Sequence, residues 1–513
     1  MVTVTVRNSG QELKIQGRKK DTLLETLRKS GVFIPAVCAG RGSCGKCRIQ
    51  VIDGNVPETE ADHKFFSKQE IEAGYRLACR AYPESDCTIL IEDNESEGFF
   101  VQAQGKDTDV YPLGGNVAYG IAADIGTTTI AMQLVELKTG KIADVYTSVN
   151  RQRAYGADVI SRIEAANSGK KEELTKTVRE ILLEGIFQLT QKESIRVKRM
   201  VIGGNTTMIH LLMGYSCETL GIFPFKPVNI HTIHTTGKEL FGKQDLDFDI
   251  IIYPGISTYV GGDIVAGLYS LGFQEREKVS VLIDLGTNGE LAIGNKDRIL
   301  VASTAAGPAF EGGNIICGMG SMPGAICRVE MDHGEIRAET IGNAEPKGIC
   351  GTGVIDCVYE LLKEGIVDET GLMEDEYFES GAVLSEDEKI RFYQKDVREI
   401  QLAKSAVRAG LETLILRYGA VWDEIETVYV AGGFGHKMDV HKAAGIGLFP
   451  AACEGKIEAV GNSCLAGTVK YLIRQEAPED TLKLVEASKE ISLSNDKDFQ
   501  EFYMEYMYFE TQE

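Results

Sequence analysis

The sequence predicts an α+β domain followed by a duplicated α/β unit, and three observations carry that prediction. Over residues 1–93, short alternating strands surround one helical segment and a Cys-rich loop. From residue 118 the pattern changes to long apolar strands broken by Gly/Thr turns. That second pattern then occurs again, in the same order, from residue 279. A length of 513 residues leaves room for three or so cores.

In the first unit, VTVTVR and ELKIQ alternate as strands, TLLETLRKSG has helical spacing, and RIQVIDG and TILIED are apolar runs, with a second helix between them. Residues 94–117, NESEGFFVQAQGKDTDVYPLGGNV, hold no period and form a linker. Its Phe99, Phe100 and Tyr111 imply that it docks on a surface. Residues 118–278 and 279–487 are the two halves of the repeat. YGIAADIGTTTIAMQLVEL is matched by VSVLIDLGTNGELAIG, and KRMVIGGNTTMIHLL by TVYVAGGFGHKM. GGDIVAGLYSLG and GNSCLAGTVKYL each place small residues at helical spacing. Residues 488–513, with FQEFYMEYMYFE, form an acidic aromatic tail, read as a C-terminal helix packed on the preceding unit in preference to a docking helix.

Cys38, Cys44, Cys47 and Cys79 form a C-x5-C-x2-C-x31-C array. Three thiolates from a Gly-rich loop and a fourth from a distant segment make the ligand set of a [2Fe-2S] cluster. A structural zinc site usually presents two C-x2-C pairs or a Cys/His mixture; here a single pair stands with only His63 nearby. Twelve cysteines in the whole chain are too dilute for a disulfide scaffold. Cys317, Cys327, Cys350 and Cys357 lack C-x2-C pairing and are read as small core residues.

A formal charge of −22 argues against a sequence-independent grip on nucleic acid, which needs clustered Lys and Arg. Asp, Asn and Glu interrupt even the strongest apolar runs, so no membrane span is expected. Met1 leads directly into a strand rather than a basic and apolar leader, and the expected location is the cytoplasm.

A turn that approaches phosphate closely needs glycine, because backbone N–H groups must face the oxygens with no side chain between. Asp124, Gly126, Thr127, Thr128 and Thr129 supply one such hairpin, and Asp284, Gly286, Thr287, Asn288, Gly289 and Glu290 the other. The leading Asp124 and Asp284 are expected to hold hydrated Mg2+, which keeps several waters and takes one or two carboxylates. One such hairpin is an ordinary turn as often as a site. Two in order, followed by a strand ending in AGGFG, are far more specific.

These elements resemble known families. Residues 1–93 look like a ferredoxin of β-grasp type; the x5 gap departs from the x4 of plant ferredoxins and looks more like the hydroxylase-type branch, which leaves the electron donor open. The repeat resembles the fold of actin, sugar kinases and heat-shock chaperones, in which two phosphate loops and a Gly-Gly adenosine loop clamp ATP. The resemblance assigns the adenosine loop to Gly432, Gly433 and Gly435. It also implies a residue that positions the attacking water on the helix before the second phosphate loop, where Asp263 stands; the plain alternative is that Asp263 caps that helix. Glu311 in AAGPAFEGG is its rival. In this fold the helix before the adenosine loop lends residues to the nucleotide, here Lys404 and Arg408 on DVREIQLAKSAVRAGLETLILRYG, a helix expected to be capped by Asp396 and ended by Gly419. His436, after the adenosine loop, is read as an ordinary loop histidine.

With YGADVISRI, GNTTMIHLL, AGPAFEGGNI and VAGGFG in linked order, nearly the whole chain resembles the ATP-dependent reductive activators of corrinoid proteins. That likeness implies return of an oxidised Co(II) corrinoid protein to Co(I) with an electron from the cluster, an upstream low-potential donor and a homodimer. Weighed beside it are a redox-regulated small-molecule kinase, for which no sugar-binding insert is seen, an activator of a radical dehydratase, which needs no ferredoxin domain, and an ATP-gated redox sensor.

Overall fold

The computed structural model describes residues 1–513 other than 9–10, 31, 33, 35–39, 41, 43–44, 46, 92–116, 192–194, 333–334, 433–437 and 510–513. Cys38, Cys44, the linker aromatics, Gly433, Gly435 and His436 therefore lie outside the described residues.

The first unit is a five-stranded sheet with a helix across it, ordered Gln11–Gly17, Val2–Asn8, Cys87–Leu90, Arg48–Asp53, Tyr75–Leu77. Alternation in VTVTVR sends Val2, Val4 and Val6 into a core with Leu23, Leu24 and Leu27 of the helix Leu23–Lys29. Thr22 starts that helix by accepting from the Glu25 amide, while Glu25 reaches back to the Thr22 amide. The strand Tyr75–Leu77 was not anticipated. Three residues give no readable period, and it forms because Arg48–Gln50 offers an edge to pair with.

The repeat is evident in strand order. One sheet runs Ile233–Thr236, Asp249–Ile252, Arg196–Gly204, Ala118–Ile125, Thr129–Glu136, Ile142–Val149. The other runs Ile457–Gly461, Val428–Ala431, Ser280–Leu285, Gly289–Gly294, Ile299–Thr304, Ser488–Glu490. In each, a central strand turns back antiparallel into its hairpin partner and lies parallel to a later strand on its other side. The additions differ: Ile233–Thr236 joins the first sheet antiparallel, and Ser488–Glu490 joins the second in parallel. The tail expected from residue 488 thus begins as a sheet strand. Its helix Lys497–Glu505 then packs on the long helix Gln394–Tyr418.

Two helices, Gly262–Ser270 and Ser463–Ile473, meet between the halves, and their small residues now have a reason. A Cβ on Gly467 would stand 2.0 Å from the Ala266 carbonyl oxygen, so no larger residue fits there. Tyr253 adds a hydrogen bond from its hydroxyl to the Gly467 carbonyl at 2.9 Å.

The first unit touches the first half of the repeat through Arg28, whose guanidinium carbon lies 4.7 Å from the centre of the Tyr155 ring. Contacts of this kind contribute about 0.5–2 kcal/mol, more as water is excluded.

Candidate functional site

The two hairpins face one another across a cleft. Its walls carry Asp124, Gly126, Thr127, Thr128 and Thr129 from one half, and Asp284, Gly286, Thr287, Asn288, Glu290 and Gly432 from the other. Asp263 and Glu311 line it as well. Gly289 lies in the same hairpin, where its strand pairs with Leu285. The hairpin pattern therefore brought the expected phosphate-loop residues to one place.

Local geometry explains the first loop. The Gly126 amide donates to the Thr129 carbonyl at 2.9 Å, closing the turn. Asn150 takes the next two carbonyls it can reach: its side-chain amide donates to Gly126 at 2.9 Å and its backbone amide to Thr128 at 2.8 Å. Arg162 donates to the Thr127 carbonyl at 2.6 Å. Neither Asn150 nor Arg162 lines the cleft, so these carbonyls are held from behind the loop. The second loop closes by Gly286 N–H to the Asn288 carbonyl at 3.0 Å. Gly432 has φ +113°, and a Cβ there would lie 2.3 Å from the Leu285 carbonyl oxygen; the turn needs glycine.

Glu311 ties the loops together. Its carboxylate accepts from the Thr128 hydroxyl at 3.2 Å and from the Thr287 hydroxyl at 3.1 Å. Asp263 sits in the first turn of its helix and accepts from the adjoining Ile264 amide at 2.9 Å, while the N-cap position itself is Gly261, which has no side chain to cap with. It also faces the cleft: burial, together with the charge of Asp124, pushes its carboxyl up to about 7. The amide bond and the place in the cleft coexist because the first turn of the helix is itself a cleft wall.

Asp284 is pushed up to about 8 by burial and by Asp263, Asp124 and Glu311. Burial also raises Asp124, Glu290 and Glu311 above the ordinary carboxylate range. Five carboxyls crowded in one cleft attract a divalent cation and anions already paired with one. Among the described residues no three His, Cys, Asp or Glu side chains converge as a ready-made metal chelate.

A pH dependence follows. Asp263 and Asp284 titrate above the carboxylate value of an unfolded chain, so the folded apoprotein keeps protons that the unfolded chain has lost. Stability therefore falls as pH rises from about 4 to about 8. Thermal melts of nucleotide-free, metal-free protein are expected to shift upward as pH is lowered from about 8.5 to about 6, and Asp284→Asn to flatten the trend. A melting temperature that climbs with pH over that range would contradict these assignments.

Three cleft residues were not anticipated: Asn205, Asn462 and Cys464. Asn205 accepts from the Met208 amide at 2.9 Å and donates to the Thr127 hydroxyl at 3.0 Å. Asn462 accepts from the Leu465 amide and donates to the Asp124 carboxylate, both at 2.7 Å. Each caps a helix and fixes a phosphate-loop residue with the same side chain. The signal was present as two Gly-Asn pairs, Gly204-Asn205 and Gly461-Asn462, each closing a strand and opening a helix. Cys464 gave no such signal; burial and the carboxylates hold its thiol well above the usual range.

Lys404 does not belong to this cleft. It is fully buried, donates to the Tyr508 carbonyl and lies 5.0 Å from the centre of the Phe509 ring. Its partner Arg408 pairs with Glu412 at 2.8 Å and lies over Tyr506. The basic face at i and i+4 binds the tail, an outcome hidden from the sequence because the tail is about a hundred residues away. The helix also begins earlier than expected, at Gln394, and Asp396 bonds back to the Tyr393 amide from its third position.

In the first unit, Cys47 and Cys79 are buried and adjacent: the Ala78 amide donates to the Cys47 carbonyl at 2.8 Å. Gly40, Gly42 and Gly45 around them all have positive φ, as a tight loop requires. Arg28 Nε and Nη2 are buried with no hydrogen-bond partner among the described residues, and the Cys47 and Cys79 sulfurs act on its charge. Orphaned cationic N–H groups beside two buried thiols are what an anionic iron–sulfur cluster would satisfy. Elsewhere, Cys350 and Cys357 are core residues as expected, whereas Cys317 and Cys327 are only half-buried.

Both units match known protein families. Residues 6–84 match the 2Fe-2S iron-sulfur cluster binding domain, 119–276 the RACo middle region, and 278–513 the C-terminal domain of RACo, the ASKHA domain. Over 413 residues the chain is 34% identical to the corrinoid activation enzyme RamQ of Eubacterium limosum, covering 75% of this chain and 69% of that one. The chain belongs to the RACo family. It is also 28% identical to the [Co(II) methylated amine-specific corrinoid protein] reductase of Methanosarcina barkeri, covering 75% of this chain and 76% of that protein. A solved structure of a reductive activator for corrinoid,iron-sulfur protein superposes with TM-score 0.71 at 27% identity, covering 99% of this chain and 98% of that one. A RACo-family chain thus combines a ferredoxin-type domain with an actin-like ATPase fold, and an ATP site and a 2Fe-2S site go with those domains. No helix among the described residues is long and apolar enough to cross a membrane.

Proposed function

We propose that this chain is an ATP-dependent reductive activator that returns a corrinoid protein from Co(II) to Co(I) in a methyl-transfer system. The observation that carries the reading is the joining, in one chain, of a buried cysteine pair with an orphaned guanidinium to a cleft of two phosphate hairpins. Cys38, Cys44, Cys47 and Cys79 would hold a [2Fe-2S] cluster, which supplies one electron at a time. Asp124 and Asp284 would hold Mg2+ through its waters. Thr128 and Thr287, released from Glu311, would turn their hydroxyls to the phosphates. Asp263 would accept the proton of the attacking water.

ATP is needed because the transfer runs uphill. Clusters of this kind lie at roughly −400 mV, Co(II) in a corrinoid is harder to reduce than that, and each 59 mV of a one-electron step is a factor of ten. At the corrinoid end, nucleotide can bias such a step through states that bind the two corrinoid forms differently. The ATPase halves would therefore act on docking, and phosphate need pass to no acceptor but water. A low-potential donor, a homodimeric state, a cytoplasmic location and no nucleic-acid partner complete the proposal.

Mixing reduced protein with a Co(II) corrinoid protein and Mg-ATP is expected to produce Co(I) absorbance that is absent without ATP. No ATP-dependent signal with any candidate partner would sink the reading.

A further inference from the structure

The first unit and the first half of the repeat share a cation–π contact. Arg28 and Tyr155 meet at that contact, and each is tied to a different site. On one side, the helix carrying Arg28 is bonded to the segment around Cys79: the Leu24 amide donates to the Ala78 carbonyl at 3.0 Å and the Leu23 amide to Ala81 at 2.8 Å. Arg28 Nε and Nη2 are buried with no hydrogen-bond partner among the described residues, and the guanidinium is close enough to Cys47 and Cys79 for their charge to act on it.

On the other side, residues 150–156 are fastened at both ends to the first phosphate loop. Asn150 opens the segment by accepting from the Gln152 amide at 3.1 Å while donating to Gly126 at 2.9 Å. Gly156, next to Tyr155, accepts from Arg162 Nε at 2.9 Å, and the same guanidinium donates to the Thr127 carbonyl at 2.6 Å. Arg162 is fully buried, so it cannot exchange these partners for water. Any movement of Thr127 on phosphate binding has to be taken up by the Tyr155 turn, because both bonds run through one rigid planar group.

We propose that Arg28 is a positioning residue coupling the nucleotide cleft to the cluster site: its guanidinium balances charge at the cysteines, and Tyr155 sets where that charge lies according to the state of the first phosphate loop. The inference rests on the cluster and nucleotide sites proposed above. A buried cation close to a cluster favours the reduced, more negative form, and displacing it favours the oxidised form. The path runs from Thr127 through Arg162, Gly156 and Tyr155 to Arg28 without passing through the second ATPase half.

The test uses the full-length, cluster-loaded protein held at a fixed redox poise. The ratio of reduced to oxidised cluster is read by its visible absorption with and without Mg-ATP, and nucleotide affinity is measured on the same samples. Wild type and Tyr155→Phe, which keeps a ring beneath the guanidinium, are expected to change that ratio at least threefold on nucleotide binding. Tyr155→Leu is expected to lose the change while keeping cluster absorption and nucleotide affinity. If Tyr155→Leu binds nucleotide poorly, Arg28→Lys, which keeps the charge without the planar stack, is expected to show the same loss. A wild-type ratio that ignores bound nucleotide would overturn the coupling, as would a wild-type response in the variants. Absence of cluster absorption or of nucleotide binding in wild type would instead overturn the underlying sites.

Discussion

Asp263→Asn is expected to slow ATP hydrolysis by about 10²–10⁴-fold, the range a general base contributes, while changing nucleotide affinity little. Two carboxylates compete for that role, and their surroundings separate them. Glu311 uses its carboxylate to accept from Thr128 and Thr287, so it bridges the loops. Asp263 accepts from its own helix amides and is pushed up to about 7 by burial and by Asp124, which matches proton transfer near neutral pH. Asparagine keeps the oxygen that accepts from Ile264 and removes only the basicity. Glu311→Gln likewise keeps an acceptor for both threonines and is expected to retain most of the hydrolysis rate. Steady-state phosphate release with both variants decides between them; a larger loss in Glu311→Gln would reverse the assignment.

Cys47→Ser is expected to abolish both the visible absorption of the cluster and the formation of Co(I), down to background, while ATP hydrolysis stays within about twofold of wild type. Cys47 is buried at the end of the strand Arg48–Asp53, and its carbonyl is bonded to Ala78. A serine oxygen is a harder and poorer ligand at such a site, and its small size leaves the backbone hydrogen bond in place. Hydrolysis persists because, among the described residues, the ATP cleft is lined only by residues beyond 118. Retained Co(I) formation would remove the cluster from the reaction.

Much of the molecule was legible in the sequence because its signals are local. The alternation of VTVTVR, the Gly/Thr turns after Asp124 and Asp284, and the small-residue helices each report a backbone need within a few residues. Glycine at 467 is required by a helix contact, yet its spacing within GNSCLAGTVKYL was already visible. The failures are long-range. Lys404 has helical spacing suited to a ligand, but its ammonium is taken by a carbonyl at Tyr508. Asn462 reaches Asp124 across 338 residues, and only the matching of two Gly-Asn pairs could have revealed it. Arg28 reads as one more basic residue near the end of a short helix; nothing local says that Tyr155 lies beneath it.

The most direct test of the central claim follows both ends of the electron's path in one mixture. Fully reduced, cluster-loaded protein is mixed rapidly with a Co(II) corrinoid protein, with Mg-ATP or without, and cluster oxidation and Co(I) absorbance are recorded together. The account predicts that with ATP one Co(I) forms for each cluster oxidised, and that without ATP neither signal changes beyond background. Co(I) appearing at the same rate without ATP, or appearing while the cluster stays reduced, would contradict it.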